Sequence, residues 1–395
     1  MHKTIRLFIM LYFIGLIGSF FSIGQAFFIS LRYLSPILII IFSVLSKRKI
    51  LLEKSSLNVI FVFVTLFFVY PLVLIILGIY DVGKPNIIVN SLYYLLTLIC
   101  CFFIAKFYEQ FNKKLFFKDF AVIGIVFLSI ALIIYRDITI DIGSLVYSLI
   151  ANSRSDRSYL GFSNPNQVSI LVSVVFLTMI VSNLGNKTKA LTSFFCVIIL
   201  MNTGSRTPWI SLFIAVVATL LVTFFKRKSI GFKGTLAKIL IIDCIVVVLI
   251  FLVYNLTNST LETYYALDKL STNRLSRQLA TINWLESNET LIFGVGMFNP
   301  SFFNSQSSFF GLHTDSYYTF ILATMGLIGL LANILLVFKM LYKMSERKYS
   351  LMLLFFCISY SFFEATLIFP TSLLTILLFV TFFFKKSDSI KNTKN

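Results

Sequence analysis

The stretch Thr207–Phe225 reads TPWISLFIAVVATLLVTFF; it follows Asn202-Thr203-Gly204-Ser205-Arg206 and ends in Lys226-Arg227-Lys228. No charge interrupts it, and at about 1.5 Å per residue its length matches a hydrocarbon core of about 30 Å. Backbone groups surrounded by lipid must bond within their own segment, so the stretch is predicted to be a membrane-spanning helix. The basic triplet after it marks the cytoplasmic side, where Lys and Arg are retained. Arg206 then stands at the outer end.

The same pattern recurs along the whole chain. The 395 residues are 58% hydrophobic, include 45 Phe and are only 13% charged, with a mean hydropathy of +0.91. Such a composition excludes a soluble globule and predicts an all-α integral membrane protein, a single polytopic domain over 1–395. Twelve spans are read, at about 7–24, 27–45, 57–79, 87–105, 119–136, 166–183, 189–203, 207–225, 236–254, 316–338, 350–366 and 369–384. The formal charge of +18 invites a nucleic-acid reading, but the positions of the 34 Lys and Arg argue for topology instead. With the N-terminus inside, 25 fall on the cytoplasmic side and eight outside, with Arg32 left within a span. Both termini are therefore expected in the cytoplasm, with the bilayer and its anionic headgroups, and no nucleic acid, as partners of the basic loops. The first apolar run lacks a small-residue cleavage site and reads as a retained span. All five cysteines lie in apolar runs, without metal-ligand spacing.

Two outer segments are long enough to carry chemistry, 137–165 and the large loop 255–315 between the ninth and tenth spans. The first holds Arg154 and Arg157 and runs into Gly161-Phe-Ser-Asn164-Pro165-Asn166. Asn164 caps the sixth span and Pro165 suits its first turn; the same geometry presents amides to an anion. The second holds Arg274, Arg277, Gly294-Val-Gly296 and Leu312-His313-Thr314-Asp315, and Arg274–Leu285 is expected to form a short amphipathic helix. Arg206 reads either as a snorkelling boundary residue or as a fork for phosphate oxygens. The second reading draws on the positive-inside rule, since arginines kept outside ask for an anionic partner. His313 is one of only two histidines, the other being His2, and its imidazole suits proton transfer near neutral pH. It reads equally as a surface side chain beside Asp315 as helix cap. Arg32, Asp243 and Glu364 are ionisable groups within or at the ends of spans, each a candidate for function. Outer carboxylates are scattered, so no metal site is read.

Gly161-Phe-Ser-Asn-Pro-Asn166 resembles the Asn-Pro-Asn entry to a mid-chain span in the O-antigen polymerase and O-antigen ligase family of bacterial envelope enzymes. Thr203-Gly-Ser-Arg206 resembles that family's Ser-Arg at the next outer turn. Arg277, Gly294-Val-Gly296, His313-Thr-Asp-Ser-Tyr-Tyr318 and Gly326-Leu-Ile-Gly329 resemble its large-loop and following-helix signature. The family often has Asn after the His, whereas Thr314 and Asp315 follow here, and Arg274 and Arg277 compete for the large-loop arginine. The resemblance implies glycosyl transfer without metal or other cofactor at the outer face of the bacterial plasma (inner) membrane. The implied donor is a polyprenyl-diphosphate-linked oligosaccharide, polymerised by repeat units into capsular or other surface polysaccharide. His313, Arg206 and Arg277 are then the expected catalytic residues. Arg274, Arg157, Arg154, Asn164, Asn166, Asp315 and Tyr318 are expected to bind substrate. A chain-length regulator and a flippase are the protein partners such a system implies. A ligase moving finished glycan to another acceptor is the nearest alternative; a lipid-linked glycan transporter or flippase is the alternative from another class, and would show internal pseudo-symmetry and a polar midplane cavity.

Overall fold

A computed structural model describes residues 2–46, 54–80, 84–136, 138, 143, 158–162, 164–226, 268, 274–296, 316–344, 348–364, 367 and 372–385. The span expected at 236–254, with Asp243, lies outside the described residues. Those described form helices and no strand, with one isolated bridge between Phe21 and Phe162. The helices are α1 (His2–Gly18), α2 (Gln25–Leu45), α3 (Lys54–Val64), continued through a π-helical turn (Thr65–Val69) into α4 (Tyr70–Ile76), α5 (Lys84–Glu109) and α6 (Lys113–Tyr135). They continue as α7 (Pro165–Val181), α8 (Asn186–Asn202), α9 (Thr207–Lys226), α10 (Arg274–Ser287), α11 (Tyr317–Met344), α12 (Lys348–Ser361) and α13 (Leu373–Phe383).

Among the described residues, six stretches are long and apolar enough to cross a membrane: Gln25–Leu45, Ser56–Ile76, Lys84–Glu109, Lys113–Tyr135, Thr207–Phe225 and Tyr317–Met344. Phe61, Phe213 and Ile133 are 72%, 70% and 70% exposed, a dispersed apolar surface that water would penalise and lipid would not. Between the helices the core is largely aromatic: Phe13 meets Phe120 edge-on at 5.0 Å, Phe102 meets Phe383 at 5.5 Å, and Phe63 meets Phe379 at 5.2 Å. Glycine sets the closest approach. A Cβ on Gly15 would lie 2.6 Å from the Arg32 nitrogen, so α1 and α2 pack backbone to backbone.

The helix ends define two faces. One holds the described lysine-bearing helix ends; the other holds the α1–α2 turn, the α4–α5 turn and the described segments 158–162 and 274–296. At the lysine-rich face Asp119 is buried, and Arg6 grips it through Nε and Nη2 at 2.9 and 2.7 Å while the Tyr108 hydroxyl donates at 2.8 Å. The sequence reading started this span at Asp119. The helix begins at Lys113 instead, because Asn112 caps it by accepting the Lys114 N–H at 2.9 Å.

The single span expected at 316–338 is broken. Gly326 (φ 68°, ψ −169°) separates a first part, 317–325, from a second, 327–344. In a straight helix Tyr317 and Asn333 would be about 24 Å apart along the axis. Here the Asn333 amide donates to the Tyr317 hydroxyl at 2.7 Å, so the two parts fold back on one another. The apex lies at the loop-rich face, beside Tyr80, and Tyr317 lies deeper, beside a buried Asn333.

α13 is also short. From Phe383, packed on Phe102, ten residues of rise bring Leu373 level with about residue 92 of α5. α5 runs on for just over two further turns to Lys84. The tip of α13 therefore sits about 12 Å below the end of α5.

Candidate functional site

The tips of α12 and α7 and the start of α10 meet at the loop-rich face. After Ser361, a turn held by Phe363 N–H and Glu364 N–H to the Tyr360 carbonyl, at 3.1 and 3.0 Å, presents Glu364. Asn164 begins α7 by accepting the Asn166 N–H at 2.8 Å, which leaves the Asn166 side chain on the first turn. Its amide donates to Glu364 Oε1 at 2.8 Å. Arg274, at the first position of α10, donates through Nη2 to the same oxygen at 2.7 Å and through Nη1 to the Phe363 carbonyl. Both side chains of the ion pair are only 16% exposed, so the pair is far less screened than a surface bridge.

The remaining site residues are placed by this junction. Arg277 follows Arg274 by one turn on the same side of α10, since residues three apart share a helix face. The Tyr318 ring packs against Phe362 at 4.7 Å, two residues before Glu364. The Ser316 hydroxyl donates to the Ser361 carbonyl at 3.4 Å, so the large loop returns to the bundle at this same junction. Arg206 begins the turn of α9, and its carbonyl accepts the Ile210 N–H at 3.2 Å. Ser359 of α12 donates to the Ser211 carbonyl of α9 at 3.4 Å. Arg206 and Glu364 each lie five residues beyond that contact in antiparallel helices, which puts them at the same face. The segment 158–162 bonds to this face through Ser158 N–H to Asn202 O at 2.9 Å, and Ser22 N–H reaches Gly161 O at 3.0 Å.

The structure thus joins Asn166 and Arg274 on one carboxylate, with Asn164, Arg277 and Tyr318 on the elements that carry or pack beside this junction, and sets Arg206 at the same face. His313, Asp315, Arg154 and Arg157 lie outside the described residues. Glu364 is legible in the sequence as an ionisable candidate for function at the end of a span, but nothing in the sequence names Arg274 or Asn166 as its partners. Arg274, expected to bind substrate directly, has its guanidinium engaged by Glu364 and Phe363.

A second construction supports α10. Leu285, with Ile282 and Trp284, packs against Leu322, Ala323 and Leu330 of α11. The chain then runs through 291–296 into the break at Gly326. Val295 N–H and Gly296 N–H donate to the carbonyls of Ala323 and Thr324, both at 2.9 Å, and Leu327 N–H donates to Leu291 O at 2.9 Å. The Tyr80 hydroxyl lies 2.6 Å from the Phe293 carbonyl and 3.0 Å from that of Thr324, and Tyr70 donates to the Met325 carbonyl at 3.0 Å. Burial pushes the Tyr80 phenol well above its usual range, so it remains a donor. A Cβ on Gly294 would meet the Met325 nitrogen at 2.5 Å, and one on Gly326 the Ile292 carbonyl at 2.1 Å. The Gly294-Val-Gly296 and Gly326-Leu-Ile-Gly329 stretches, read separately in the sequence, are the two sides of one contact.

Compared with known proteins, residues 191–334 match the family described as O-antigen ligase, little more than a third of the chain. No curated protein and no solved structure matches. The matched segment contains Arg206, Arg274, Arg277 and both glycine stretches, while Glu364, which holds Arg274, and Asn166, which donates to the same oxygen, lie outside it. The match bears out the resemblance to the O-antigen polymerase and ligase family over that segment, and it supports a multi-pass membrane enzyme of that general type.

Proposed function

From an O-antigen ligase match over residues 191–334, we propose that this chain polymerises polyprenyl-diphosphate-linked oligosaccharide repeat units at the extracytoplasmic face of the bacterial plasma membrane. The observation that carries the reading is the placement of Arg206, Arg274 and Arg277 at one face, where Glu364 receives both Arg274 and Asn166. The positive-inside count assigns that face to the outside.

In this reading the acceptor hydroxyl of one carrier-linked repeat attacks the anomeric carbon of the donor glycan. A bond forms between acceptor oxygen and anomeric carbon, and the bond from that carbon to the diphosphate breaks. The proton passes to His313 and the electron pair leaves with the polyprenyl diphosphate. Arg206 and Arg277 stabilise the charge growing on that leaving group, where a preorganised donor contributes about 2.7–4 kcal/mol. The Arg274–Glu364–Asn166 junction fixes α10 and hence the bearing of Arg277. Tyr318 and the Asn-Pro-Asn turn border the sugar, and Arg154, Arg157 and Asp315 are proposed to contact the glycan or its carrier.

Two other readings have an observation behind them. The matched description favours a ligase, in which the same chemistry delivers finished glycan to a different acceptor. The break in α11 is a feature transporters use to bind ions with freed carbonyls. Here the carbonyls of Ala323, Thr324 and Met325 are taken by Val295, Gly296, Tyr80 and Tyr70, which leaves the break a structural joint. Deletion in the native host separates the three. A polymerase deletion leaves single repeat units on the surface, a ligase deletion leaves long unattached polymer, and a flippase deletion traps units on the cytoplasmic side. Either of the last two outcomes would overturn the proposal.

A further inference from the structure

A second cationic group stands away from the Arg274–Glu364 junction. Arg32 lies in α2, whose flank of Phe27, Tyr33, Leu34 and Ile37 is exposed and apolar, the surface lipid would cover. Gly15 admits the Arg32 backbone against α1, and the guanidinium extends toward the end of that helix. Its Nη1 donates to Ser19 Oγ at 3.2 Å, its Nη2 to Tyr33 Oη at 3.2 Å, and its Cζ stands 4.9 Å over the Tyr33 ring. The Tyr93 ring closes the group at 4.8 Å from Tyr33. Among the described residues every one of these partners is neutral.

An arginine within a membrane is ordinarily paired with a carboxylate, or with carbonyls that offset its charge. Arg32 has two hydroxyls and a ring instead. Its Nε is buried without a partner, as are the hydroxyls of Tyr12 and Tyr93, both within electrostatic range of the guanidinium. The group therefore holds one full positive charge with no carboxylate beside it among the described residues; Nε and the Tyr12 and Tyr93 hydroxyls are closed inside it, and Tyr33 is its side exposed toward the bilayer. A guanidinium fork flanked by hydroxyls suits the oxygens of a phosphate. Water cannot supply the missing charge.

The geometry points to a lipid-phosphate site formed by Arg32, Ser19, Tyr33 and Tyr93 at the junction of α1, α2 and α5, open to the bilayer near its outer boundary. The site uses none of the residues placed in the proposed transfer. The phosphate belongs either to a glycerophospholipid or to the polyprenyl carrier, and both present the same chemistry to Arg32.

Native mass spectrometry of the purified full chain tests this, after stringent detergent washing and reconstitution with phosphatidylglycerol or polyprenyl diphosphate. Wild-type protein is expected to retain one phosphate-bearing lipid that Arg32→Gln loses by about tenfold or more, with Arg32→Lys intermediate. Tyr33→Phe, which keeps the ring and removes the hydroxyl, is expected to weaken retention by a smaller factor. Displacement of phosphatidylglycerol by polyprenyl diphosphate assigns the site to the carrier; failure to displace assigns it to the phospholipid. Equal retention by wild type and both Arg32→Gln and Tyr33→Phe overturns the site. Arg206→Ala retaining the lipid while losing transfer would show the two cationic groups acting separately.

Discussion

Glu364 Oε1 receives both Arg274 and Asn166, so one oxygen ties the large-loop helix to the entry of α7. Glu364→Gln keeps an acceptor for Asn166 and removes the ion pair. The expected cost is about 1–2 kcal/mol, below the 3–5 kcal/mol of a fully buried pair because some solvent reaches it. Thermal unfolding in detergent reads that cost, and transfer should fall more steeply than stability as α10 loses its bearing. Unchanged transfer would leave the junction without a role in the reaction. At the same scale, His313→Ala is expected to slow transfer by about 10²-fold or more, the usual contribution of an acid–base group. A rate within twofold of wild type would remove the imidazole from the mechanism. The arginines were legible from the sequence because outer positive charge is disfavoured and therefore stands out. The partner of Arg274 was not, because 90 residues and several helices separate it from Glu364.

At the scale of elements, the broken helix α11 is the feature that periodicity could not reveal. Residues 317–338 are largely apolar and carry no charge, so hydropathy reads them as one span, and only the positive φ at Gly326 folds them back. Glycines at 294 and 326 were visible, but their meaning lies in each other: each leaves room for the other strand of backbone. Gly326→Ala places a Cβ against the Ile292 carbonyl and forces an L-residue into a left-handed conformation. A loss of about 2–4 kcal/mol is expected, visible as protease sensitivity of the large loop. Tyr80→Phe removes one shared donor from the Phe293 and Thr324 carbonyls and should cost about 1–2 kcal/mol without changing the fold. Wild-type protease resistance in Gly326→Ala would show that the loop does not depend on this joint. By contrast, the other described helices overlap their expected spans, α1 and α6 beginning five and six residues early, since lipid leaves a long apolar run little choice but helix.

For the whole molecule, charge asymmetry and architecture point the same way. Lysines gather where Arg6 and Asp119 lock α1 to α6, and the arginine group gathers at the opposite face. A reporter fused after Lys385 is expected to read cytoplasmic, and an external signal there would reverse the assignment of the site. The central claim is that the arginines at that outer face drive departure of a lipid diphosphate as glycan is transferred. Its most direct measurement is reconstitution of the purified chain with a defined polyprenyl-diphosphate-linked repeat unit, following polymer length and released diphosphate together. The account predicts that wild type yields both in step, while Arg206→Ala and Arg277→Ala, though folded, yield neither above about 1% of wild type, the scale set by losing one preorganised donor. Polymer of wild-type length from both variants, or diphosphate released without any glycosidic bond formed, would contradict it.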